Sequence, residues 1–405
     1  MDHRTLLVTL TGDDRPGVTS ALFERVSRVG ATVLDVEQVV VRGLLTLAVL
    51  LSADEHEEEL RRTVHEVAHD LGMSVAMRSG HGDNRRRRTG RAAVVLLAAP
   101  LTATHMSAVA ACLAAHGANI DRIRRLSRFP VTTVELDVSG ADLSVLRREL
   151  ARVASEQRVD IAVAPAGLAR RGRRLVVLDV DSTLIQDEVI ELLARHTGRE
   201  ALVAEVTERA MRGEVDFAES LHQRVAALAG LPASIFDTVR EEITLTPGAR
   251  TLLRTLQRLG FSIGLVSGGF AEVIEHVAAE LGIDYLRANR LEVVDGVLTG
   301  KVLGDIVDRA GKAQALRDFA ELEGLPLSRT VAVGDGANDL DMLEAAGLGV
   351  AFNAKPLVRA HAHTSVNVPY LDSVLFLLGI SREEVEEADE ADPSFGPTSL
   401  LTTPG

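Results

Sequence analysis

Two aspartates, Asp179 and Asp181, directly follow the apolar run "LVVL" (175–178). That run reads as a strand buried on both faces, where a carboxylate is costly unless something binds it. Residues two apart on an extended chain point the same way, so both acids can face one site. A third acid, Asp335, stands in "GDGAND" (334–339), with Asn338 and Asp339 behind it. Carboxylates gathered like this repel one another unless a cation lies between them. An oxygen-only, partly hydrated site suits Mg2+. "SGG" (267–269) offers the Ser267 hydroxyl and the N–H groups of Gly268 and Gly269 at the start of the helical run "FAEVIEHVAAELG". Such a start suits an anion. Lys312 adds a point charge suited to phosphate. A metal, an anion cradle, a lysine and a free carboxylate together describe phosphoryl transfer.

Competing motifs fail on spacing. An EF-hand loop from Asp179 needs Gly at its sixth position and an acid at its twelfth, where Leu184 and Ile190 stand. "GVLTGK" (296–301) is one residue short of a P-loop. "GDGAND" has Asp339 where a dinucleotide loop requires Gly.

The elements that must position these residues lie between 173 and 380. Strand-like runs "RLVVLDV", "SIGLVSG", "YLRANRLEV", "TVAVGD" and "LGVAF" alternate with helical ones. Continuous apolar strands joined by helices predict a parallel sheet covered on both faces. Ligands bind outside the carboxyl ends of such strands, where Asp179, Ser267 and Asp335 all fall. A helical insertion over about 187–246 is too long for a crossover and predicts a cap. Within it, Glu188 and Arg224 suit the two charges of a zwitterion, an ammonium and a carboxylate, and Met211 and Phe217 suit apolar cover. The tail 381–405 is acidic, then rich in Pro, Ser, Thr and Gly; it is expected to begin as a helix and end disordered.

Ahead of this region a βαββαβ pattern occurs twice, over 1–84 and 91–168. A shift of 87 residues superposes Gly30 on Gly117, Val8 on Val95 and Ser52 on Ser139. Duplication of a small α+β unit is the economical reading. The copies differ before their first helix. "GDDRPGV" (12–18) carries Gly17, which lets a ligand approach backbone N–H groups, whereas "APLTATHM" (99–106) has no such residue.

The 405 residues imply several domains. A net charge of −14 and the absence of Trp argue against nucleic acid, and the clusters Arg85–Arg88 and Arg170–Arg174 read as solvated linkers. No apolar run is long enough for a membrane span, and the first residues do not read as a signal peptide. The single Cys112 excludes an internal disulfide and suits the cytoplasm.

"DVDSTLI", "SGG", Lys312 and "GDGANDLDML", in that order, resemble the four motifs of the haloacid dehalogenase superfamily. The resemblance implies an α/β fold, a Rossmann-like parallel sheet with a helical cap. It implies Asp179 as nucleophile and Asp181 as general acid, then base. Mg2+ would be held by Asp179, Asp335 and the backbone carbonyl of Asp181. Ser267 and Lys312 would bind phosphate; Asp339, Thr183 and Gly269 would support them. On these roles Asp181 is expected to have the higher pKa of the pair.

The cap is similar to that of phosphoserine phosphatases. This implies that Glu188, Met211, Phe217, Arg224, Ser267, Gly268, Lys312 and Asn338 contact O-phospho-L-serine. The N-terminal copies resemble ACT domains, ferredoxin-like modules that bind amino acids, and the whole chain resembles the long actinobacterial form of that family. The resemblance implies Mg2+-dependent release of L-serine and phosphate, the last step of L-serine biosynthesis. It also implies a homodimer inhibited by L-serine near Asp13, Gly17 and Val18. Alternatives are another small ester, phosphoserine within proteins, a phosphomutase, or a non-catalytic amino-acid sensor.

Overall fold

The computed structural model describes residues 4–53, 56–81, 89–167, 172–211 and 214–392, with the backbone alone for Ala210 and Met211. The cluster Arg85–Arg88, the side chain of Met211 and the end of the tail lie outside the described residues. The chain divides into two compact units, Met1–Arg88 and Thr89–Gly405.

The first unit runs β1 (Arg4–Asp13), α1 (Val18–Arg28), β2 (Val33–Val41), β3 (Leu44–Ser52), α2 (Glu57–Asp70) and β4 (Ser74–His81). Its strands form an antiparallel sheet in the order β2-β3-β1-β4. Alternation sends Leu6, Val8 and Leu10 of β1, and Leu45, Leu47, Val49 and Leu51 of β3, into one core. Val18, Leu22 and Val26 of α1 enter the same core at intervals of one turn. Gly30, at φ 73°, ends that helix as its sequence predicts.

The second unit opens with the repeat: β5 (Ala92–Ala98), α3 (Ala103–Ala115), β6 (Asn119–Ser127), β7 (Thr132–Ser139), α4 (Leu143–Gln157) and β8 (Asp160–Pro165). The sheet order β6-β7-β5-β8 matches the first copy. One contrast is informative: β1 alternates between buried and accessible positions, whereas every residue of β5 is buried. Ala92, Val94 and Leu96 face α3 and α4, while Val95 and Leu97 join the core of a larger body built from residues 173 onward. The second repeat is thus packed into that body by the reverse face of its sheet.

The larger body is a seven-stranded sheet of order β12-β11-β10-β9-β13-β14-β15. The strands are β9 (Leu175–Leu178), β10 (Ser262–Phe270), β11 (Tyr285–Val294), β12 (Val297–Leu303), β13 (Thr330–Gly334), β14 (Leu348–Phe352) and β15 (Thr364–Val366). All neighbours are parallel except β11 and β12, which form an antiparallel hairpin. The five predicted strands are present. The structure adds the two edge strands, β12, whose apolar pattern is interrupted by Thr299, Gly300 and Lys301, and β15, which has three residues. On β9, Leu175 and Val177 enter one core and Val176 and Leu178 the other, which is why the run has no polar residue.

Helices α5 (Val189–Arg195), α6 (Glu200–Met211), α7 (Phe217–Ala226) and α8 (Ile235–Glu242) fill the predicted insertion; α9 (Ala249–Arg258) then leads back to the sheet. The two ends of the insertion meet in an antiparallel bridge, Ile185 with Leu245. The far end of α7 rests on the hairpin, where Gly230 N–H donates to Leu298 O at 2.9 Å and Leu298 N–H returns to Leu231 O at 2.8 Å. The remaining helices are α10 (Ala271–Glu280), α11 (Arg309–Leu322), α12 (Leu340–Ala345), α13 (Pro356–His361), α14 (Val374–Leu377) and α15 (Arg382–Ala391). The tail therefore begins as a helix. Its Asp389 is buried between Arg254 and Arg258 of α9.

Candidate active site

Asp179 closes β9, its N–H donating to Val333 O of β13 at 2.9 Å. The chain then leaves the sheet through a tight loop, Val180–Leu184, closed by Ile185 N–H on Val180 O at 3.0 Å. Ser182 takes a left-handed φ of 56° to make that turn. The loop separates the two acids. Asp179 points inward and is 3 % exposed. Its Oδ1 pairs with the Lys312 ammonium at 2.7 Å, and Lys312 reaches Asp339 at the same distance. Asp181 Oδ1 accepts from Val189 N–H and its Oδ2 from the Ser267 hydroxyl, both at 2.8 Å.

Glycines make room for these contacts. A Cβ on Gly269 would stand 2.8 Å from Asp181 Oδ2. One on Gly334 would stand 2.5 Å from the Asp339 carboxyl. Gly268 lies under the Phe217 ring, which a Cβ would approach to 3.3 Å. Thr183 donates to Asp335 Oδ1 at 3.1 Å, and Gly336 N–H fixes Asp339 Oδ2 at 2.9 Å.

Oxygens of Asp179, Asp335 and Asp339 lie within 4.8 Å of one another, the group among the described residues able to hold a metal ion. The donor set is all carboxylate, which fits a hard divalent cation. The carboxylate of Asp181 belongs to a different set of contacts, those of Ser267 and Val189.

Electrostatics follow from burial. Burial, then the neighbouring Asp339, pushes Asp179 well above the usual carboxylate range, against the pull of Lys312. Burial also raises Asp181, but Val189 N–H and Ser267 oppose it. Both acids are thus raised, with burial the first cause in each; on Asp179 the neighbouring Asp339 adds to it, on Asp181 two donors oppose it. Burial and Asp339 push Asp335 up to about 6. Burial disfavours charge on Lys312, yet its two carboxylates outweigh that and raise it.

The cap meets this cluster across a cleft of about 660 Å³. Phe217, Ser220, Leu221 and Arg224 form one stripe of α7 along it. Glu188, at the entry to α5, accepts from Ser182 Oγ at 2.8 Å. Its surface keeps contact with solvent in the cleft. The surrounding protein still removes enough water to push it up to about 7, and Asp181 adds repulsion. Burial lowers Arg224, with Glu188 working against that fall. Asn338 lines the same cleft.

One expectation changes. Strand β10 continues to Phe270 and α10 begins only at Ala271, so "SGG" is not a helix start. Gly269 N–H donates to Ser267 Oγ at 2.7 Å, which commits that donor within the protein. Asp13, Gly17 and Val18 belong to the first unit. Gly17 is exposed and has a left-handed φ of 99° ahead of α1, but Val18 is 2 % exposed and packed into the core, so of these residues it is the one not open to a ligand. Lys355, Leu357 and Ser220 also line the cleft and were missed. Lys355 follows β14 at its carboxyl end, and Ser220 lies one turn from both Phe217 and Arg224. Both positions carried a readable signal.

Comparisons with known proteins agree along the chain. Residues 176–344 match the haloacid dehalogenase-like hydrolases, and residues 4–78 and 91–164 each match an ACT domain. A phosphoserine phosphatase of Streptomyces coelicolor is 58 % identical over 397 residues, 98 % of this chain and 97 % of that one. One of Mycobacterium tuberculosis is 54 % identical over 393 residues, 96 % of each. The crystal structure of a probable phosphoserine phosphatase from Vibrio cholerae superposes with a TM-score of 0.56 at 34 % identity, covering 73 % of this chain and 88 % of that one. With its acids at the strand ends and its cap above them, the chain belongs to the phosphoserine phosphatases of the haloacid dehalogenase-like hydrolase family, in the form that carries two ACT domains.

Proposed function

We propose that the chain hydrolyses O-phospho-L-serine to L-serine and phosphate, the last step of L-serine biosynthesis. The observation that carries this reading is one cleft that joins the buried Asp179–Lys312–Asp339 cluster to Glu188 and Arg224 on the cap. The first set suits a phosphoryl group, the second the ammonium and carboxylate of an amino acid.

Asp179 attacks phosphorus and the ester P–O bond breaks, leaving an aspartyl-phosphate. Asp181 gives its proton to the departing serine alkoxide. It then takes a proton from water, which attacks the same phosphorus; phosphate leaves and Asp179 is restored. The Ser267 hydroxyl and Val189 N–H hold Asp181 in place for both transfers. Lys312 balances charge on Asp179 and on the phosphoryl oxygens. Asp179 and Asp335, with the Asp181 carbonyl, would hold Mg2+, which neutralises charge that the buried acids cannot carry alone. The cap shields the intermediate from bulk water.

L-Serine fits an effector at the Asp13–Val18 loop of the first ACT domain, where Gly17 leaves backbone open to a ligand. A homodimer is favoured by the edge strand β2, which presents Val36, Val39 and Val41 at 47, 55 and 62 % exposure. No helix among the described residues is long and apolar enough to cross a membrane. The one cysteine fits a reducing cytoplasm.

The deciding experiment is phosphate release from O-phospho-L-serine with and without Mg2+, and with added L-serine, in wild type and Gly17→Ala. Release that needs Mg2+ is expected, with inhibition by L-serine weakened in the variant. No release from this ester, with release from sugar phosphates, would replace the substrate; unchanged inhibition in the variant would remove the effector site.

The raised Glu188 gives a pH prediction. A carboxyl at about 7 is protonated below that pH and then holds an ammonium poorly. The kcat/KM for O-phospho-L-serine should therefore fall as pH drops through 7. Glu188→Gln should raise KM about 10- to 100-fold, the worth of a hydrogen bond between charged groups. It should also flatten that limb, leaving the ionisation of the phosphate near pH 6. An identical profile in the variant would remove Glu188 from the ammonium site.

A further inference from the structure

Asp160 opens β8 of the second ACT domain and is 5 % exposed. Its carboxylate is committed to the far edge of the catalytic sheet. Asn367 N–H donates to Asp160 Oδ2 at 2.8 Å, Asn367 Nδ2 donates to Oδ1, and the Ser365 hydroxyl donates to Oδ1 at 3.1 Å. Beside it, Thr364 Oγ1 donates to Ile161 O at 3.0 Å. A buried acid with three donors from one segment is a specific latch, because an unmatched carboxylate there would be strongly disfavoured. The first repeat has no counterpart. Asp160 pairs with Leu97; the matching residue in the first copy, Leu10, pairs with the apolar Val75.

The latch continues toward the cleft. The Oδ1 of Asn367 accepts from Arg359 of α13 at 3.2 Å. Helix α13 connects β14 to β15, and its start supplies Lys355, Leu357 and Val358 to the lining of the catalytic cleft. Val366 O also accepts from Asn353 N–H at 2.8 Å, so both ends of the α13 segment are tied to β15. We propose that Asp160 is a positioning residue for the active site: through Asn367 and Arg359 it sets α13, and so the shape of the cleft wall that α13 provides. The second ACT domain then acts on catalysis as a fixed platform, with no ligand of its own required.

The kinetic part of the test rests on the phosphoserine reading; the exchange part does not. Asp160→Asn loses an acceptor for Asn367 Nδ2. It should raise KM for O-phospho-L-serine about 3- to 30-fold, the size of a remote coupling, with kcat within about twofold. Amide hydrogen exchange over residues 356–361 should quicken in the same variant. Arg359→Ala, at the exposed end of the relay, should reproduce both effects without disturbing the ACT domain. The swap Asp160→Asn with Asn367→Asp puts donor and acceptor back in reach and should restore KM and exchange. A loss of thermal stability with unchanged KM and unchanged exchange over α13 would make Asp160 a structural residue only and overturn the proposal. So would faster exchange over the whole second unit with no rescue by the swap. A wild-type protein that does not turn over O-phospho-L-serine would remove the substrate reading, while the exchange comparison would still decide the latch.

Discussion

Asp179→Asn is expected to lower kcat by on the order of 10⁴-fold or more, as loss of a nucleophile does, and to leave the fold at least as stable as wild type. The second half is the less usual claim. In the wild type two buried carboxylates, Asp179 and Asp339, share one ammonium, Lys312. Asparagine in place of Asp179 leaves one acid and one base, a balanced pair. The sign follows from the raised pKa of Asp179. A carboxyl raised on folding favours the folded state at low pH, and that contribution is lost as pH rises through its folded value. The variant has no such loss, so its stability relative to wild type should grow from acid toward neutral pH. Mg2+ should raise the melting temperature of wild type and raise that of the variant much less, since one ligand has lost its charge. An active variant, shown by mass spectrometry to be free of deamidation, would sink the nucleophile assignment. An unchanged Mg2+ response would remove Asp179 from the metal site alone.

Lys312→Met should be the most destabilising single change in the cluster. The lysine side chain is wholly buried, and both its acids are buried as well. Breaking such a pair by removing one partner costs about 3–5 kcal/mol, because the remaining charges stay where water cannot reach them. Here two like charges remain, so the cost should fall as pH is lowered and one of them takes a proton. The denaturation midpoint of the variant should approach that of wild type in acid and separate from it above neutrality. Turnover should fall about 10²- to 10³-fold through loss of a preorganised positive charge. A midpoint equal to wild type at pH 8 would contradict the reading of this triad as an electrostatic unit.

The catalytic centre was legible because its parts are local. Each acid follows an apolar strand directly, and in a parallel sheet the strand ends converge. The alternation of Leu175, Val176, Val177 and Leu178 between two cores is a direct consequence of the same pattern. The cap residues needed the resemblance to stand out, since Glu188 ahead of α5 and Arg224 on α7 otherwise look like any solvated charge. What escaped depends on distant partners. Asp160 and Asn367 are 207 residues apart. The edge strands β12 and β15 have sequences that only a neighbouring strand stabilises. Asp389 lies in an acidic run whose pattern suggests exposure, yet two arginines of α9 hold it inside. The misplaced start of α10 has a similar origin. Glycines 268 and 269 read as a helix cap, but the structure spends them on close approach by Phe217 and Asp181.

The bridge between Ile185 and Leu245 has a consequence for how this fold diversifies. The chain leaves the sheet and returns to it at neighbouring points, so the sheet registers only that the two ends meet. The entropy of closing such a loop grows slowly with its length. Another insert of different size and chemistry could be spliced between those points with the attacking acid, its lysine and the metal ligands left as they are, provided its first residues keep a backbone N–H where that of Val189 meets Asp181 Oδ1. Ester selectivity and phosphoryl chemistry are in this sense separately heritable, and recombination at residues 185 and 245 is where a chimaera should be cut.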